Sequence, residues 1–284
     1  MNALRNVVSA SSFATGLLER CTFPTSGTLH CAVSGGADSL ALLLLASRTQ
    51  QPVVAWHVDH GIRRNSADEF ALVRQVAEAL GAEAELRNVR VEPGPNLEAR
   101  AREARFAVLP PDVLTGHTAD DQAETVLINL LRGSGTAGLA GMRRDHHPLL
   151  RIRRSETHAL CAEVGVQPLH DPMNDDDRYQ RVRLRNEAIP LLREIAQRDV
   201  VDLISRQAET LRDDNDLLDE LAAMIDATDA RALADSPVAL ARRAIRQWLA
   251  DPLPPDAATV ERSEEHTPEL QSPCNLVCRL LLEK

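Results

Sequence analysis

The sequence predicts an α/β fold, a parallel sheet with helices on both faces, followed by a smaller all-helical domain. Three observations carry that expectation. Short apolar runs, too brief for helices, alternate with stretches of helical periodicity up to about residue 165. The clearest runs end in polar clusters, as strands do where a parallel sheet turns its C-terminal edge toward a ligand. Beyond Asp171 the runs give way to long helical stripes.

Ser11 to Arg20 reads as a short opening helix. Cys31-Ala32-Val33 is a first strand, stopped at Gly35 and Gly36, and Leu40 to Leu45 form an apolar helix behind it. Val53 to Asp59 is a second strand, with His60 to Arg64 as its loop. Ser66-Ala67-Asp68-Glu69 has a capping-box pattern and opens a helix carried by Phe70, Val73, Val76, Ala77 and Leu80. Gly81 ends it. Glu85 to Val91 is a third strand, and Asn96 to Leu109 a helix studded with Arg100, Arg102 and Arg105. Asp112 to His117 is a fourth strand, Thr118 to Leu131 a helix and Gly133 to Gly138 a flexible loop. Pro148 to Ile152 is a fifth strand, and Thr157 to Val164 a short helix.

An acidic loop (Asn174 to Asp177), a basic run (Tyr179 to Arg185) and Pro190 come next. The domain boundary is expected there: 1–190 as the catalytic domain, 191–261 as the helical one. The latter holds Val200 to Ile225, striped by Ile204, Ala208, Leu211, Leu218 and Leu221. It also holds Val238 to Leu249, with Leu240, Ala244, Ile245 and Trp248 on one face. Residues 262–284 break the pattern and resemble a translated sequencing-adapter oligonucleotide. They are expected to be a non-native tail.

The 284 residues suffice for one sizeable core and a smaller domain. No apolar run approaches the roughly eighteen residues of a membrane span. The first twenty residues lack the apolar centre of a signal peptide, so a cytoplasmic protein is expected, with no membrane partner. Five scattered cysteines form no CxxC pair and suit reduced thiols. A net charge of −10 excludes a globally basic nucleic-acid binder but leaves room for a local basic patch.

Ser34-Gly35-Gly36-Ala37-Asp38-Ser39 is the chemically densest stretch. Glycines admit a close backbone approach, and the amide groups opening the next helix attract anions, phosphate above all. Asp38 would repel a bare phosphate, so a divalent cation is expected between them. The plain alternative is a serine that merely caps the helix. The SGGxDS form differs from both the Walker loop and the GxGxxG turn. It resembles the pyrophosphate loop of N-type ATP pyrophosphatases, which implies ATP and Mg²⁺.

Gly116 to Thr125 places Asp120, Asp121 and Glu124 at the start of a helix. Acids suit a first turn on dipole grounds alone. Asp121 and Glu124 also share a face, where a carboxylate pair can hold an ammonium, bind Mg²⁺ or act as general base.

Taken together, SGGADS, Val58 to Arg63 (VDHGIR), Asn96-Leu97-Glu98 to Arg105-Phe106, GHTADDQAET and Arg132 to Met142 (RGSGTAGLAGM) occur in the order seen in tRNA(Ile)-lysidine synthetases. Asp171-Pro172, Asn174 and Tyr179-x-Arg181-x-x-Leu184-Arg185 continue the likeness to about 192. The resemblance implies an adenine nucleotide alpha-hydrolase-like fold and a ligase. ATP would adenylate the C2 oxygen of the wobble cytidine in an isoleucine tRNA with a CAU anticodon. The ε-amine of free L-lysine would then displace AMP to give lysidine.

On that likeness Ser34, Gly35, Gly36, Ala37, Asp38 and Ser39 hold the nucleotide, Asp38 holds Mg²⁺, and His60 and Arg63 line the adenine side. Asp121 and Glu124 receive the lysine ammonium, and Arg105 (or Arg102) neutralises phosphate or the lysine carboxylate. Arg151, Arg154, Arg181 and Arg185 contact the tRNA backbone, with Arg153, Arg178 and Arg183 in the same basic run. Two departures stand out. Val182 replaces the family's usual Asn, and an additional C-terminal tRNA-binding domain carried by many relatives is not seen; weak tRNA affinity would follow if this member normally has one.

Two rivals and the oligomeric state, including a homodimer, stay open. A tRNA-thiolating enzyme of the same superfamily would want paired cysteines. A non-catalytic nucleotide-binding module would not need Asp38 or the Asp121–Glu124 pair.

Overall fold

The computed structural model describes residues 3–59, 66–90, 97–169 and 178–249. In chain order it contains α1 (Ala3–Ala10), α2 (Ser12–Leu18), β1 (Leu29–Ala32), α3 (Ala37–Ala46), β2 (Val53–Asp59), α4 (Ser66–Leu80), β3 (Glu83–Asn88), α5 (Leu97–Ala107), β4 (Leu114–Thr115) and α6 (Ala119–Leu131). Then come α7 (Thr136–Leu139), α8 (Arg154–Glu163), α9 (Gln180–Arg183), a π-helical turn (Leu184–Ala188), α10 (Ile189–Ala196), α11 (Val200–Ala223), α12 (Ala230–Asp235) and α13 (Val238–Trp248).

The four strands form one parallel sheet in the order β3-β2-β1-β4. Successive crossovers carry the chain outward from β1 to β2 and β3. The connection through α5 then returns it to the opposite side of β1. Between β1 and β4 the direction of winding reverses, and at such a switch point the loops leaving two strand ends splay apart to leave a crevice. Those loops are the SGGADS turn and the segment opening α6.

α3 explains the stability of this arrangement. Every residue from Leu40 to Ala46 is buried, and the helix packs into a core that includes Leu29, Cys31, Val53, Ala55, Val73, Leu114, Leu149 and Leu160. A helix apolar on all sides has no solvent face to present, so it must lie inside the fold. Gly81, at φ 81, ends α4 in the left-handed region as expected.

Three expectations need correction. Pro148–Ile152 is not a strand. Leu150 and Ile152 donate to the carbonyls of His147 and Leu149, which are turn bonds within the segment, while Leu149, Leu150 and Ile152 are buried. The run fills the core without joining the ladder, an ambiguity inherent in short apolar stretches. The Gly133–Gly138 loop contains the start of α7, and α8 begins a turn before Thr157.

The chain divides into two compact units, Met1–Ala208 and Glu209–Lys284. The division lies within α11, later than residue 190. The second unit has its own small core of Ala222, Leu233, Ala241, Ala244 and Ile245. Residues 262–284 fall outside the described residues. Among the described residues no helix is long and apolar enough to cross a membrane.

Candidate active site

Three backbone devices assemble the site. The first is the turn after β1. Gly35 adopts φ 92, and Gly36 caps α3 in an extended conformation with no side chain to satisfy the first amide groups. Ser39 Oγ donates to the Gly36 carbonyl (2.9 Å) and accepts from the Ser34 N–H (3.2 Å), with Ser34 Oγ also 3.2 Å away. The turn is thus fixed by its own serines, and the helix opens toward any anion placed before it.

The second device is Gly116, at the exit of β4. A Cβ there would lie 2.6 Å from the Asp38 carbonyl oxygen and 2.9 Å from the Ser39 nitrogen. Only glycine lets the two loops pass this closely. The third is the capping box of α6. The Thr118 N–H and hydroxyl each donate to Asp121 Oδ2 at 2.8 Å, which leaves Oδ1 pointing onward.

Arg154, from the first turn of α8, joins these loops. Its Nε donates to Asp38 Oδ2 (3.2 Å), its Nη2 to Asp121 Oδ1 (2.5 Å) and its Nη1 to Glu124 Oε1 (3.2 Å). Each guanidinium nitrogen meets a different carboxylate. Arg185, in the π-helical turn, clasps Glu124 from the other side through Nε (2.8 Å) and Nη2 (3.2 Å). The Glu124 side chain is wholly buried, at 0% exposure, and is paired with both cations. Thr157 adds a hydrogen bond to Asp38 Oδ1.

The two aspartates respond differently. Burial pushes the Asp38 carboxyl above the usual range; Arg154 and Thr157 oppose this and the nearby Asp121 charge reinforces it. Burial acts on Asp121 too, but there Arg154, His117 and the Thr118 bonds outweigh it, and its pKa lies below the ordinary value.

Alongside, Arg153 forks onto Asp120 (Nη2–Oδ1 2.9 Å, Nε–Oδ2 3.1 Å) and also bonds Asp199, while the Arg154 N–H donates to Asp120 Oδ2 (2.8 Å). A cleft of about 450 Å³ opens next to this pair, lined among others by Glu124, Ser155, Arg153, Arg185 and Arg193.

The structure therefore gathers Ser34, Gly35, Gly36, Ala37, Asp38, Ser39, Asp121 and Glu124 at one end of the sheet. Two of the arginines expected on tRNA phosphates, Arg154 and Arg185, are instead ion-paired inside this cluster. Arg151 is exposed, and Arg181 donates to Thr125 Oγ1 on α6 (3.1 Å). Arg105 is exposed on α5, whereas the ion pairs of the three carboxylates run to Arg154 and Arg185. His60, Arg63, Asp171 and Asn174 lie outside the described residues. Sequence reading missed Thr157 and the Arg153–Asp120 fork. The only local hint was the polar run Arg153-Arg154-Ser155-Glu156-Thr157 at a helix start.

A protein-family model, the PP-loop domain of the ATP-binding type, matches residues 10–192. The tRNA(Ile)-lysidine synthase of Mycolicibacterium paratuberculosis is 44% identical over 266 residues, covering 88% of this chain and 80% of its own. That of Nocardia farcinica is 44% identical over 237 residues, covering 78% and 74%. The chain belongs to the tRNA(Ile)-lysidine synthase family.

The matched PP-loop region of this synthase family member takes in the SGGADS turn, Asp121, Glu124, Arg154 and Arg185. Among solved structures, the U34-tRNA thiolase NcsA from Methanococcus maripaludis, with its 4Fe–4S cluster, aligns with a TM-score of 0.56 at 19% identity. It covers 73% of this chain and 79% of that one, and shows a shared fold. Three of the five thiols of the synthase family member lie among the described residues. Cys31 and Cys161 are buried, Cys21 is half-buried, and burial pushes all three up to about 12.

Proposed function

We propose that this chain forms lysidine on an isoleucine tRNA with a CAU anticodon, using ATP and free L-lysine in the cytoplasm. One observation carries the reading: a single side chain, Arg154, touches both Asp38 beside the phosphate-binding turn and the Asp121–Glu124 pair. The end of the site suited to a triphosphate and the end suited to an ammonium are thus one guanidinium apart.

The C2 oxygen of the wobble cytidine attacks the α-phosphorus of ATP, and pyrophosphate leaves toward the open amide groups of α3 and the serines of the turn. C2 now carries a good leaving group. The ε-ammonium of lysine, held by Asp121 and Glu124, gives up a proton to one of them, and the neutral amine attacks C2 as AMP departs. The cleft beside Glu124 sets Arg153, Arg185 and Arg193 against Asp120, Glu124 and Asp199 in its wall, a lining of both signs that suits an amino acid's own ammonium and carboxylate.

The donor set at Asp38 fits Mg²⁺: one carboxylate in reach of phosphate oxygens, with serine hydroxyls nearby. Among the described residues no group of three metal-ligating side chains is present, and Mg²⁺ characteristically relies on one or two carboxylates plus phosphates and water. Bound there, it would neutralise charge on the leaving pyrophosphate.

A thiolation reading is disfavoured because the sequence holds no CxxC pair of the kind sulfur transfer or cluster ligation would want. Pyrophosphate release measured with CAU tRNA, with and without lysine, followed by mass analysis of the modified nucleoside, tests the proposal. The expected product carries the added mass of lysine less water. A nucleoside that gains sulfur, or none modified at all, would discard it.

A further inference from the structure

Arg154 stands where the proposed chemistry needs another cation. Asp121 Oδ2 is committed to the Thr118 N–H and hydroxyl, and Glu124 Oε2 to Arg185. An incoming ammonium would turn to Asp121 Oδ1 and Glu124 Oε1; Arg154 sits on both, at 2.5 and 3.2 Å, and Arg185 Nε also holds Oε1 at 2.8 Å. Arg154 Nε holds Asp38 Oδ2, the carboxylate assigned to the metal. With Arg154 and Arg185 both donating to Glu124 Oε1, its two lone pairs are taken, and an ammonium can be seated there only once Arg154 withdraws.

We propose that Arg154 is a placeholder cation: it bridges the three carboxylates until substrates bind and must leave Asp121 and Glu124 before lysine can enter. Its new partner is the nucleotide. Asp38 lies in the first turn of α3, beside the amide groups that face phosphate, so the guanidinium already reaches the edge of that site. Phosphate oxygens accept a guanidinium in the bidentate geometry it favours. Nucleotide binding then vacates the ammonium seat, and lysine and nucleotide bind with positive coupling. The inference rests on the lysine-transfer reading.

The test is calorimetric titration of L-lysine into the full chain and into Arg154→Met, each with and without a non-hydrolysable ATP analogue plus Mg²⁺. For the unaltered chain the nucleotide is expected to tighten lysine binding about tenfold. Arg154→Met is expected to bind lysine without nucleotide as tightly as the unaltered chain does with it, and to gain less than about twofold on nucleotide addition. Two results overturn the inference alone: equal lysine affinity of the unaltered chain in both conditions, or a loss of lysine affinity in an Arg154→Met protein that melts normally. The first comparison needs no variant, so it decides even if Arg154→Met folds poorly. If the unaltered chain binds no lysine in any condition, the lysine-transfer reading falls and takes the inference with it.

Discussion

Asp38 and Asp121 face the same guanidinium, yet their carboxyls are pushed in opposite directions. The difference is local. Asp121 receives two hydrogen bonds from Thr118 on one oxygen and Arg154 on the other, so its charge is fully solvated by protein. Asp38 has fewer such partners and feels the Asp121 charge. A carboxyl with a raised folded pKa is less stable ionised in the fold than in the unfolded chain, so removing its charge relieves the native state. Asp38→Asn is therefore expected to melt no lower than the unaltered chain in metal-free buffer while pyrophosphate release drops about 10²–10³-fold. Full turnover in that variant would exclude a role for Asp38 at the phosphates.

Asp120 gives the reverse sign. Burial raises its carboxyl, but the Arg153 fork and the Arg154 N–H outweigh that and hold it below the usual range. Its contribution to stability is complete above the unfolded carboxylate value, about 3.9, and is lost as pH falls through the lower folded value. Asp120→Asn is expected to be less stable at pH 7 and to lose less on acidification below about pH 5. Urea midpoints of both proteins at pH 7 and near pH 3.5 check this; parallel acid limbs would count against it.

At the scale of elements, Gly116 does what no side-chain contact could. With the Asp38 carbonyl 2.6 Å from where a Cβ would stand, Gly116→Ala must separate β4's exit from the first turn of α3. Overpacking against backbone costs about 1–3 kcal/mol. The same shift draws Asp38 away from Asp121, so an activity loss of at least about tenfold should accompany the lower urea midpoint. Unchanged values of both would show that the loops have slack. Much of this level was legible beforehand. Val53–Asp59 is a strand over its full expected length, because alternating burial on an interior strand leaves a clean pattern. The Thr118–Asp121 capping box was visible because both partners lie within one turn. Pro148–Ile152 misled because a buried turn and a buried strand are equally apolar. The role of Arg154 was hidden for another reason. Its partners lie 30, 33 and 116 residues away, and only the winding reversal beside β1 brings them to it. Spacing reports neighbours along a helix or strand; it does not report which distant carboxylate a surface-looking arginine will meet.

For the molecule as a whole, the difficulty is that a chain of net charge −10 must hold a polyanion. Favourable contact then depends on a few positive side chains whose charge is not already spent on neighbouring acids. Arg154 and Arg185 are matched against three carboxylates and offer the tRNA little net field. Arg151 is exposed to solvent. Each phosphate contact made by such a residue contributes about 0.7–0.9 to the slope of log affinity against log salt. Arg151→Ala is thus expected to weaken tRNA binding and flatten that slope by just under one. Arg185→Ala should leave the slope where it is, while lysine transfer collapses because Glu124 loses its bidentate partner. Filter binding between about 50 and 200 mM salt separates the two cases. A slope that changes for Arg185→Ala and not for Arg151→Ala would mean that the polyanion reaches into the carboxylate cluster itself, and that the basic face lies elsewhere on the molecule.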